Sequence, residues 1–473
     1  MNCFDMAVIG SGMGGSLISA LNKEKDIIVF EKESNLGGCA STFQKAGNFY
    51  NAGATTFVGY EQNHPIKMIF EAINYTPDMT KCEVAIRVIH NKKSVDRVKD
   101  FDTFLANINE RYPHKNNTLF WKTIKDIDEK FWRLKRLHYA KYKLSSYVKT
   151  AYSMVELLAV FKFDLFKSAQ HFMDEILTDI SSEYRAFIDA QLLITLQTTS
   201  KEISLLSLAL GLSYPFHDVF YVNNGMGTLF EGLLKDVNVH KNEQIVKIKK
   251  EEVLYRVISN KNEYMAKQVI LNSSVYNTAH LFDDENIKNY YESFSFSDQS
   301  AFAVYLTLDS QEDFLHHYQI ILNENIPNGI SNSIFISFSA KEDKKLSKNG
   351  YSINISTHTK ALFWKNIDKE EYKKQKQITQ NFIMKHFLEN FVTIQQESII
   401  DIHSATSATF NKFINRYNCG GKAIPFKNIL QTPSCRTPFK GLYNVGDTVF
   451  AGQGCPGIAL GVEVLNKEIH EPF

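Results

Sequence analysis

The sequence predicts an α/β protein in which a nucleotide-binding domain with a parallel sheet is interleaved with a second domain of α+β character. Three observations predict this class. The chain opens on an apolar strand, a glycine turn, a helix and a second strand. It closes on a glycine-rich turn before an apolar helix, and strand-rich and helix-rich segments alternate between these two ends.

The opening unit has the spacing of a dinucleotide-binding motif. Residues 4–9 and 26–30 are short, apolar and partly β-branched, which predicts two buried strands. Between them lies the turn Gly10-Ser11-Gly12-Met13-Gly14-Gly15, and residues 16–23 carry apolar side chains at helical spacing. A lone glycine motif is weak, but here the strand, turn, helix and second strand all follow one another at the required distances.

The glycines and the acid of this unit each have a physical role. Gly10 permits the tight turn out of the strand, Gly12 leaves room for a pyrophosphate, and Gly15 lets the helix and strand pack closely. The phosphates would lie at the helix N-terminus, where free N–H groups favour negative charge. Glu31 ends the second strand and is placed to bind a ribose hydroxyl.

A second glycine pair distinguishes between the possible dinucleotides. Gly37-Gly38-Cys39-Ala40 follows Glu31 closely, as in flavoproteins whose FAD lies extended across the domain. The pair by itself could be an ordinary loop. Together with the opening and closing motifs it favours FAD over NAD.

Composition excludes several classes of protein. The chain has 473 residues, enough for two or three domains, with a net charge of +1 and 22% charged residues. Nothing in this balance points to nucleic acid, so we expect no nucleic-acid partner. The six cysteines are scattered without metal-ligand spacing, which predicts free thiols and no metal site.

The sequence also predicts a compartment. The first strand starts almost at Met1, which leaves no room for a signal peptide and predicts a cytoplasmic protein. The most apolar stretch, residues 152–166, contains Glu156, Lys162 and Asp164 and is too short to span a bilayer.

The order of segments predicts discontinuous domains. Residues 1–75, 215–290 and 430–473 would form the FAD-binding domain. Residues 76–214 and 291–429 would form the substrate-binding domain, with a helical subdomain over about 101–212. Strands are predicted at 243–250, 253–259, 265–272, 301–308, 333–339 and 351–357, and a charged helix at 369–390.

One part of the helical segment combines basic and aromatic residues. Residues 132–149 interleave lysines and arginines, Arg136 among them, with tryptophan, leucine and tyrosine. A basic amphipathic helix of this kind could lie on an anionic membrane surface, although a solvated helix face is the alternative.

The closing motif has the features of a flavin-binding turn. Residues 442–445 predict a buried strand, and Gly446-Asp447 follows where a helix start would point at phosphate or ribitol. Gly452, Gly454 and Gly457 allow close approach of the backbone to a ring system, and the helix after them favours negative charge there.

Taken together, the motifs resemble the phytoene desaturase, carotenoid isomerase and retinol saturase family of FAD-dependent oxidoreductases, which have a Rossmann-like FAD-binding domain of the glutathione reductase type. The resemblance extends from end to end of the chain. It rests on the opening turn, Glu31, Gly37-Gly38-Cys39-Ala40, Tyr50-Asn51-Ala52-Gly53, Asn224-Gly225-Met226-Gly227, and Gly446-Asp447 with Gly452-Gln453-Gly454 and Gly457. Asn51 stands where relatives usually have Asp.

The resemblance implies a set of FAD contacts but identifies no catalytic acid or base. The implied contacts are Gly10, Gly12, Met13, Gly14, Gly15, Glu31, Lys32, Gly38, Cys39, Ala40, Val246 (near the adenine), Gly446, Asp447, Gly454, Pro456 and Gly457.

The resemblance also implies a substrate class. A long apolar polyene or isoprenoid would lie in a tunnel between the helical and β-rich segments, and the flavin would act on its C–C or C=C bonds. Because such molecules dissolve in bilayers, peripheral membrane contact would follow. Desaturation, saturation and isomerisation are not separated by any residue, and the oligomeric state is left open.

Three alternatives are open at this stage. A flavin amine oxidase would act on a polar substrate and produce hydrogen peroxide. A prenyl- or lipid-binding carrier could keep the fold without the chemistry, although it would not need phosphate-facing glycines. A dithiol reductase is disfavoured, because Cys39 has no second cysteine nearby in the sequence.

Overall fold

The structure is a computed structural model that describes residues 3–135, 137–347, 350–424 and 426–470. Its strands are β1 (Cys3–Ile9), β2 (Ile27–Phe30), β3 (Thr42–Lys45), β4 (Asn48–Asn51), β5 (Met79–Cys82), β6 (Val84–His90), β7 (Lys93–Val98), β8 (Val219–Val222), β9 (Asn238–His240), β10 (Ile245–Lys250), β11 (Tyr255–Ser259), β12 (Glu263–Leu271), β13 (Ser300–Leu308), β14 (His317–Ile321), β15 (Ser333–Phe338), β16 (Tyr351–Thr359), β17 (Ile399–Ala405) and β18 (Leu442–Asn444).

The helices connect these strands. They are α1 (Met13–Leu21), α2 (Pro65–Ala72), α3 (Phe101–Arg111), α4 (Asn117–Trp132), α5 (Leu144–Phe161), α6 (Ala169–Ile176), α7 (Ser182–Leu196), α8 (Leu205–Ser213), α9 (Gly227–Leu233), α10 (Glu285–Glu292), α11 (Ala361–Asn366), α12 (Lys369–Asn390), α13 (Ser407–Ile414) and α14 (Cys455–Ile469).

The first sheet carries the nucleotide-binding unit. Its strands lie in the order β10-β11-β12-β1-β2-β9, and β18 pairs with the end of β12. β1 lies parallel to both β2 and β12, with Met6 opposite Ile27 and Gln268. The apolar runs of β1 and β2 are buried because helices cover both faces of a parallel sheet. The predicted strands at 243–250, 253–259 and 265–272 are confirmed, with ends shifted by up to two residues.

The second sheet is mostly antiparallel, in the order β17-β13-β16-β15-β14-β6-β7. β6 and β7 form a hairpin whose turn residues Asn91 and Lys92 both have positive φ angles, as a tight hairpin turn requires. The long helix α12 packs Ile383 and Phe387 against this sheet. Its predicted bounds are confirmed, and Asp368 caps it by accepting hydrogen bonds from the N–H groups of Glu370 and Glu371.

In the described part of the chain, one predicted helix is absent, and two strands of the second sheet lie outside the predicted ones. The basic amphipathic helix predicted for residues 132–149 is wrong: α4 ends at Trp132, α5 starts at Leu144, and residues 137–140 between them are not helical. Arg136 lies outside the described residues. The strands β14 and β17 were not predicted, and they complete the second sheet on either side of the predicted ones.

The strands of each sheet fall into separate stretches of the chain. Those of the first sheet lie within residues 3–30, 238–271 and 442–444, and those of the second within 84–98 and 300–405. This order matches the interleaving that the sequence indicates. The exact domain boundaries stay a prediction.

Candidate functional site

The opening and second glycine motifs lie against each other. Gly12 and Gly37 form an isolated parallel bridge, and the N–H of Gly37 donates to the carbonyl of Ser11 at 3.2 Å. Gly37 has a φ of +107°, which favours glycine, and a methyl group on it would overlap the ring of Phe230. The two loops, 22 residues or more apart in sequence, therefore form one glycine-lined wall at the end of β1.

The closing motif joins this wall from the other side. A methyl group on Gly14 would lie 2.9 Å from the backbone nitrogen of Gly446 and from Val445, so helix α1 and the end of β18 are in close contact. Gly446 has a φ of +115°. Three motifs from the start and the end of the chain thus meet at one edge of the first sheet, where ligands bind in open α/β sheets.

Asn272 lies at the centre of this meeting point and was missed as a site residue. Its side-chain Nδ2 donates to the carbonyl of Gly10 at 3.2 Å, and its backbone N–H donates to Ile9 at 3.0 Å. A methyl group on Gly12 would lie only 2.7 Å from Nδ2. The available signal was a polar residue directly after a buried strand, the position at which parallel strands present side chains to a ligand.

Glu31 faces the opening turn. Its Oε2 accepts hydrogen bonds from the N–H of Ser11 at 3.1 Å and from the Ser11 hydroxyl at 2.6 Å. Its Oε1 accepts from the N–H of Glu33 at 3.0 Å. A carboxylate oxygen accepts about two hydrogen bonds, so Oε1 retains capacity for a ribose hydroxyl.

Lys32 and Val246 are less directly placed. The ammonium of Lys32 donates to the carbonyl of Lys412 at 2.9 Å and to Asn415 at 2.8 Å, which ties β2 to the end of α13. Val246 is 44% exposed and lies in the bulge between β10 and β11. Since the N–H of Glu243 donates to the carbonyl of Glu31, this bulge is three residues from the Glu31 end of the wall.

Asp447 has a cationic partner that sequence reasoning did not find. The guanidinium of Arg416 donates to both of its carboxylate oxygens, at 2.9 and 2.8 Å, while Arg416 Nε donates to the carbonyl of Asn418. Burial opposes the charge of Asp447, but Arg416 holds the pKa of this carboxyl below its ordinary value. A lone arginine in an irregular segment gave no signal of this pairing.

The charges of Arg416 and Asp447 act on the Cys39 thiol. Its side chain is exposed, yet desolvation raises the pKa of the thiol to about 11. The thiol is therefore protonated at neutral pH.

The closing turn leaves its backbone open. Among the described residues, a methyl group on Gly452 would meet no atom within 4 Å, and one on Gly454 would meet only Pro456, at 3.9 Å. Both glycines have positive φ angles, of +106° and +81°. Gly454 is also the N-cap of α14, so free N–H groups of the helix start face the same open side.

Asn51 has a structural task. Its Oδ1 accepts hydrogen bonds from the Thr42 hydroxyl and from the N–H of Met226, both at 2.9 Å, which joins β4 to the start of α9. Thr42 in turn accepts from the N–H of Gly227 at 2.9 Å. This explains why the Gly225 turn lies beside the wall.

A cavity of about 320 Å³ lies between the end of α7 and the segments around residues 297–299 and 422–423. Next to it, Gln453 Nε2 donates to the carbonyl of Thr195 at 2.8 Å. The lining of this cavity includes the polar residues Gln197, Glu202 and Lys422, so the cavity does not suit a long hydrocarbon. It is not the apolar tunnel that the resemblance implies.

The arrangement meets the requirements of a bound dinucleotide. Glycines line the start of α1, a carboxylate with a remaining acceptor site ends β2, and an open glycine turn begins α14. As ligands of FAD, the individual residues stay predictions.

Comparison with known proteins supports this assignment. Residues 8–73 match the family described as NAD(P)-binding Rossmann-like domain. The chain is 24% identical to prolycopene isomerase 2 of an Oncidium hybrid cultivar, over 96% of this chain and 82% of that protein. It is 22% identical to the prolycopene isomerase of Daucus carota, over 96% and 78% of the two chains. The predicted resemblance to carotenoid isomerases is confirmed.

Solved structures confirm the fold class. An oxidoreductase from Methanosarcina mazei has a TM-score of 0.63 at 17% identity, covering 98% of this chain and 99% of its own. A double mutant of putrescine oxidase has a TM-score of 0.64 at 13% identity, covering 99% and 98%. A fatty acid isomerase from P. acnes has a TM-score of 0.59 at 12% identity, covering 98% of both chains. At these identities the likeness concerns the fold alone.

Proposed function

We propose that this chain is an FAD-dependent oxidoreductase that acts on C–C or C=C bonds of a long apolar polyene or isoprenoid, as a carotenoid isomerase does. The observation that carries the proposal is the similarity to prolycopene isomerases over 96% of the chain. The three converging glycine motifs support the cofactor assignment.

The chain's own residues would bind and orient the cofactor. Gly12, Gly15 and the start of α1 would hold the pyrophosphate, and Glu31 would accept a hydrogen bond from the ribose. The open backbone from Gly452 to Gly457 would lie against the isoalloxazine, with the N-terminus of α14 favouring negative charge there. When bound, FAD would supply reversible hydride or electron transfer to the substrate.

The remaining role of the protein would be to exclude water from the reacting bonds and so to prevent side reactions. Cys39 is a neutral thiol at pH 7, and the opposite charges of Arg416 and Asp447 largely cancel. No described residue is assigned as a catalytic acid or base. The proposed step therefore relies on binding and orientation by the chain.

We also propose that the enzyme takes its substrate from a lipid surface, because polyenes of this class dissolve in bilayers rather than in water. Among the described residues, no helix combines the length and apolar character needed to cross a membrane. The contact proposed is peripheral.

The test is an absorption spectrum of the purified protein followed by turnover of a cis-configured polyene hydrocarbon under anaerobic conditions. We expect flavin bands, FAD in the denatured extract by mass spectrometry, and a product separated by chromatography. An unchanged product mass indicates isomerisation, whereas loss or gain of two hydrogens indicates desaturation or saturation. A colourless protein that takes up no added FAD contradicts the proposal, and peroxide production from an amine supports the amine oxidase alternative.

A further inference from the structure

Helix α5 has its apolar side facing outward. Leu144, Val148, Val155 and Leu158 share one side of the helix at spacings of three, four or seven residues and are all exposed. Leu144 is 81% exposed and Val155 is 63% exposed. Directly after the helix, Phe163 is 88% exposed. In a protein surrounded only by water, a helix turns this side inward, so the arrangement requires an explanation.

The opposite, buried side of α5 is polar over its first ten residues and these groups have partners, whereas Leu157 and Phe161 continue this side into the apolar core. The hydroxyl of Ser146 donates to Glu468 at 2.6 Å. Thr150 Oγ1 accepts from the N–H of Ala140 at 3.1 Å and also donates to its carbonyl at 3.1 Å. Ser153 Oγ accepts from the N–H of His138 at 3.1 Å. These contacts fix the rotation of the helix, so its apolar side cannot turn inward without losing them.

We define the α5 face as the exposed apolar residues of this helix and the turn that follows it. Its members are Leu144, Tyr147, Val148, Tyr152, Val155, Leu158, Val160, Phe163 and Phe166. A helix of 18 residues is about 27 Å long, so the face is an extended apolar strip. Strips of this size mark interaction sites, whereas single exposed apolar residues need no explanation.

The charge around the α5 face indicates the partner. Residues 141–167 contain five lysines, which are Lys141, Lys143, Lys149, Lys162 and Lys167, against the two acids Glu156 and Asp164. Lys167 also pairs with Glu175, so the lysines still outnumber the acids by two. An apolar strip with lysines beside it suits an anionic lipid surface, into which the strip inserts while the ammonium groups reach the headgroups. A second copy of this chain would bring the same positive charge to the contact, which disfavours a dimer through this face.

We propose that the α5 face is the surface by which this protein docks on an anionic membrane. The helix would lie in the interface plane and not cross it. This inference deepens the proposed function, because it names the surface through which an apolar substrate would be taken up.

The α5 face is connected to the closing glycine turn. Tyr139, in the segment held by α5, donates through its hydroxyl to the carbonyls of Ile429 and Thr432 at 3.0 and 2.9 Å. Its ring centre lies 5.1 Å from that of Phe450, two residues before Gly452. Leu430, which lies between Ile429 and Thr432, is also exposed. The α5 face is thus linked to the closing glycine turn through α5 itself, Tyr139 and Phe450.

The test compares binding to vesicles of phosphatidylcholine alone with binding to vesicles that also contain phosphatidylglycerol. The α5 variant carries Leu144→Gln, Val155→Gln and Phe163→Gln. The matched control carries Val253→Gln, Val392→Gln and Ile400→Gln, three residues that are exposed to a similar degree on other elements. Neutral glutamine leaves the charge unchanged in both variants, so the difference reports the apolar contact.

We expect the wild type and the control to float with anionic vesicles, and salt to weaken this binding. The α5 variant should bind on the order of a hundredfold more weakly, because three apolar side chains no longer leave water. The inference is overturned if the α5 variant binds as the wild type does, or if the wild type binds neither vesicle. It is also overturned if the wild type is a dimer that the α5 variant converts to a monomer without any vesicle binding.

FAD content and turnover of polyene in detergent micelles, measured for all three proteins, separate this inference from the proposed function. Vesicle binding that depends on the α5 face, in a protein without flavin or turnover, refutes the proposed function and leaves the docking surface in place. If the wild type turns over polyene in micelles but does not bind vesicles, the docking surface alone is refuted.

Discussion

The pair formed by Arg416 and Asp447 offers a direct test of how the closing motif is held. Replacing Arg416 with Met removes both hydrogen bonds to the carboxylate and leaves Asp447 with one quarter of its side chain exposed and no counter-charge. Replacing Asp447 with Asn leaves the guanidinium, which is only 9% exposed, with a neutral partner. The double variant removes both charges at once.

The expected magnitude follows from the burial of the pair. Breaking a buried ion pair by removing one partner costs about 3–5 kcal/mol, and the partial exposure of Asp447 places Arg416→Met near about 3 kcal/mol. Unfolding a chain of 473 residues changes the entropy by about 1 kcal/mol per kelvin, so the melting temperature should fall by about 3 °C. The double variant should lose less than the sum of the two single variants, with a coupling of about 2 kcal/mol.

The assay is thermal unfolding of the four proteins with the FAD content determined for each. Because the pKa of Asp447 is held below its ordinary value of 3.8, the pair stabilises the protein fully above that pH and the stabilisation disappears as the pH falls through the folded-state pKa. The wild type and Arg416→Met should therefore converge in stability only in strong acid. Strictly additive losses, or a difference between them that grows as the pH falls, would refute the reasoning.

Three further predictions concern single residues. Gly15→Ala should lose bound flavin and several degrees of melting temperature, because the added methyl group overlaps the carbonyl of Gly10. Ser19→Ala on the same helix is the control and should be neutral, since the buried Ser19 hydroxyl has no hydrogen-bond partner in the described part of the chain. Alkylation of Cys39, followed by mass spectrometry of its peptide, should be slow at pH 7 and accelerate only toward pH 11, and fast modification at pH 7 would contradict a desolvated neutral thiol. Burial opposes the charge of Glu468, but hydrogen bonds from its neighbours lower the pKa of this carboxyl to about 2. Glu468→Gln should therefore destabilise the protein at pH 7 by about 2–3 kcal/mol, and this loss of stability should shrink from pH 4.5 downward. A loss of stability that does not depend on pH would count against this prediction.

Local patterns were sufficient for the nucleotide-binding unit. The apolar runs of β1 and β2, the glycines between them and the acid at Glu31 all act within about thirty residues, and the structure has each of them at the predicted place. Turn chemistry and hydrophobic periodicity depend on neighbouring residues, so a sequence displays them directly. The bounds of α12 were equally accessible, because Asp368 is an N-cap followed by a long run of good helix formers.

The helix predicted for residues 132–149 failed for a reason that no local pattern contains. Residues 132–149 interleave basic and aromatic residues at helical spacing and contain no proline or glycine. In the fold, however, Ser153 and Thr150 bind the backbone of His138 and Ala140, and Tyr139 is buried. These contacts offer the backbone partners outside a helix, and they outweigh its intrinsic preference.

By itself, then, the sequence determined the fold class, the dinucleotide-binding turn and the resemblance to carotenoid isomerases, because these depend on side chains close together in the chain. Only the tertiary structure decided that Asn272 lies on Gly10, that Arg416 pairs with Asp447, and that the apolar side of α5 faces outward. The first contact joins residues 262 positions apart. Contacts of this kind form when distant segments pack, and the free energy that selects them comes from burial and hydrogen bonding across the whole fold rather than from any local preference.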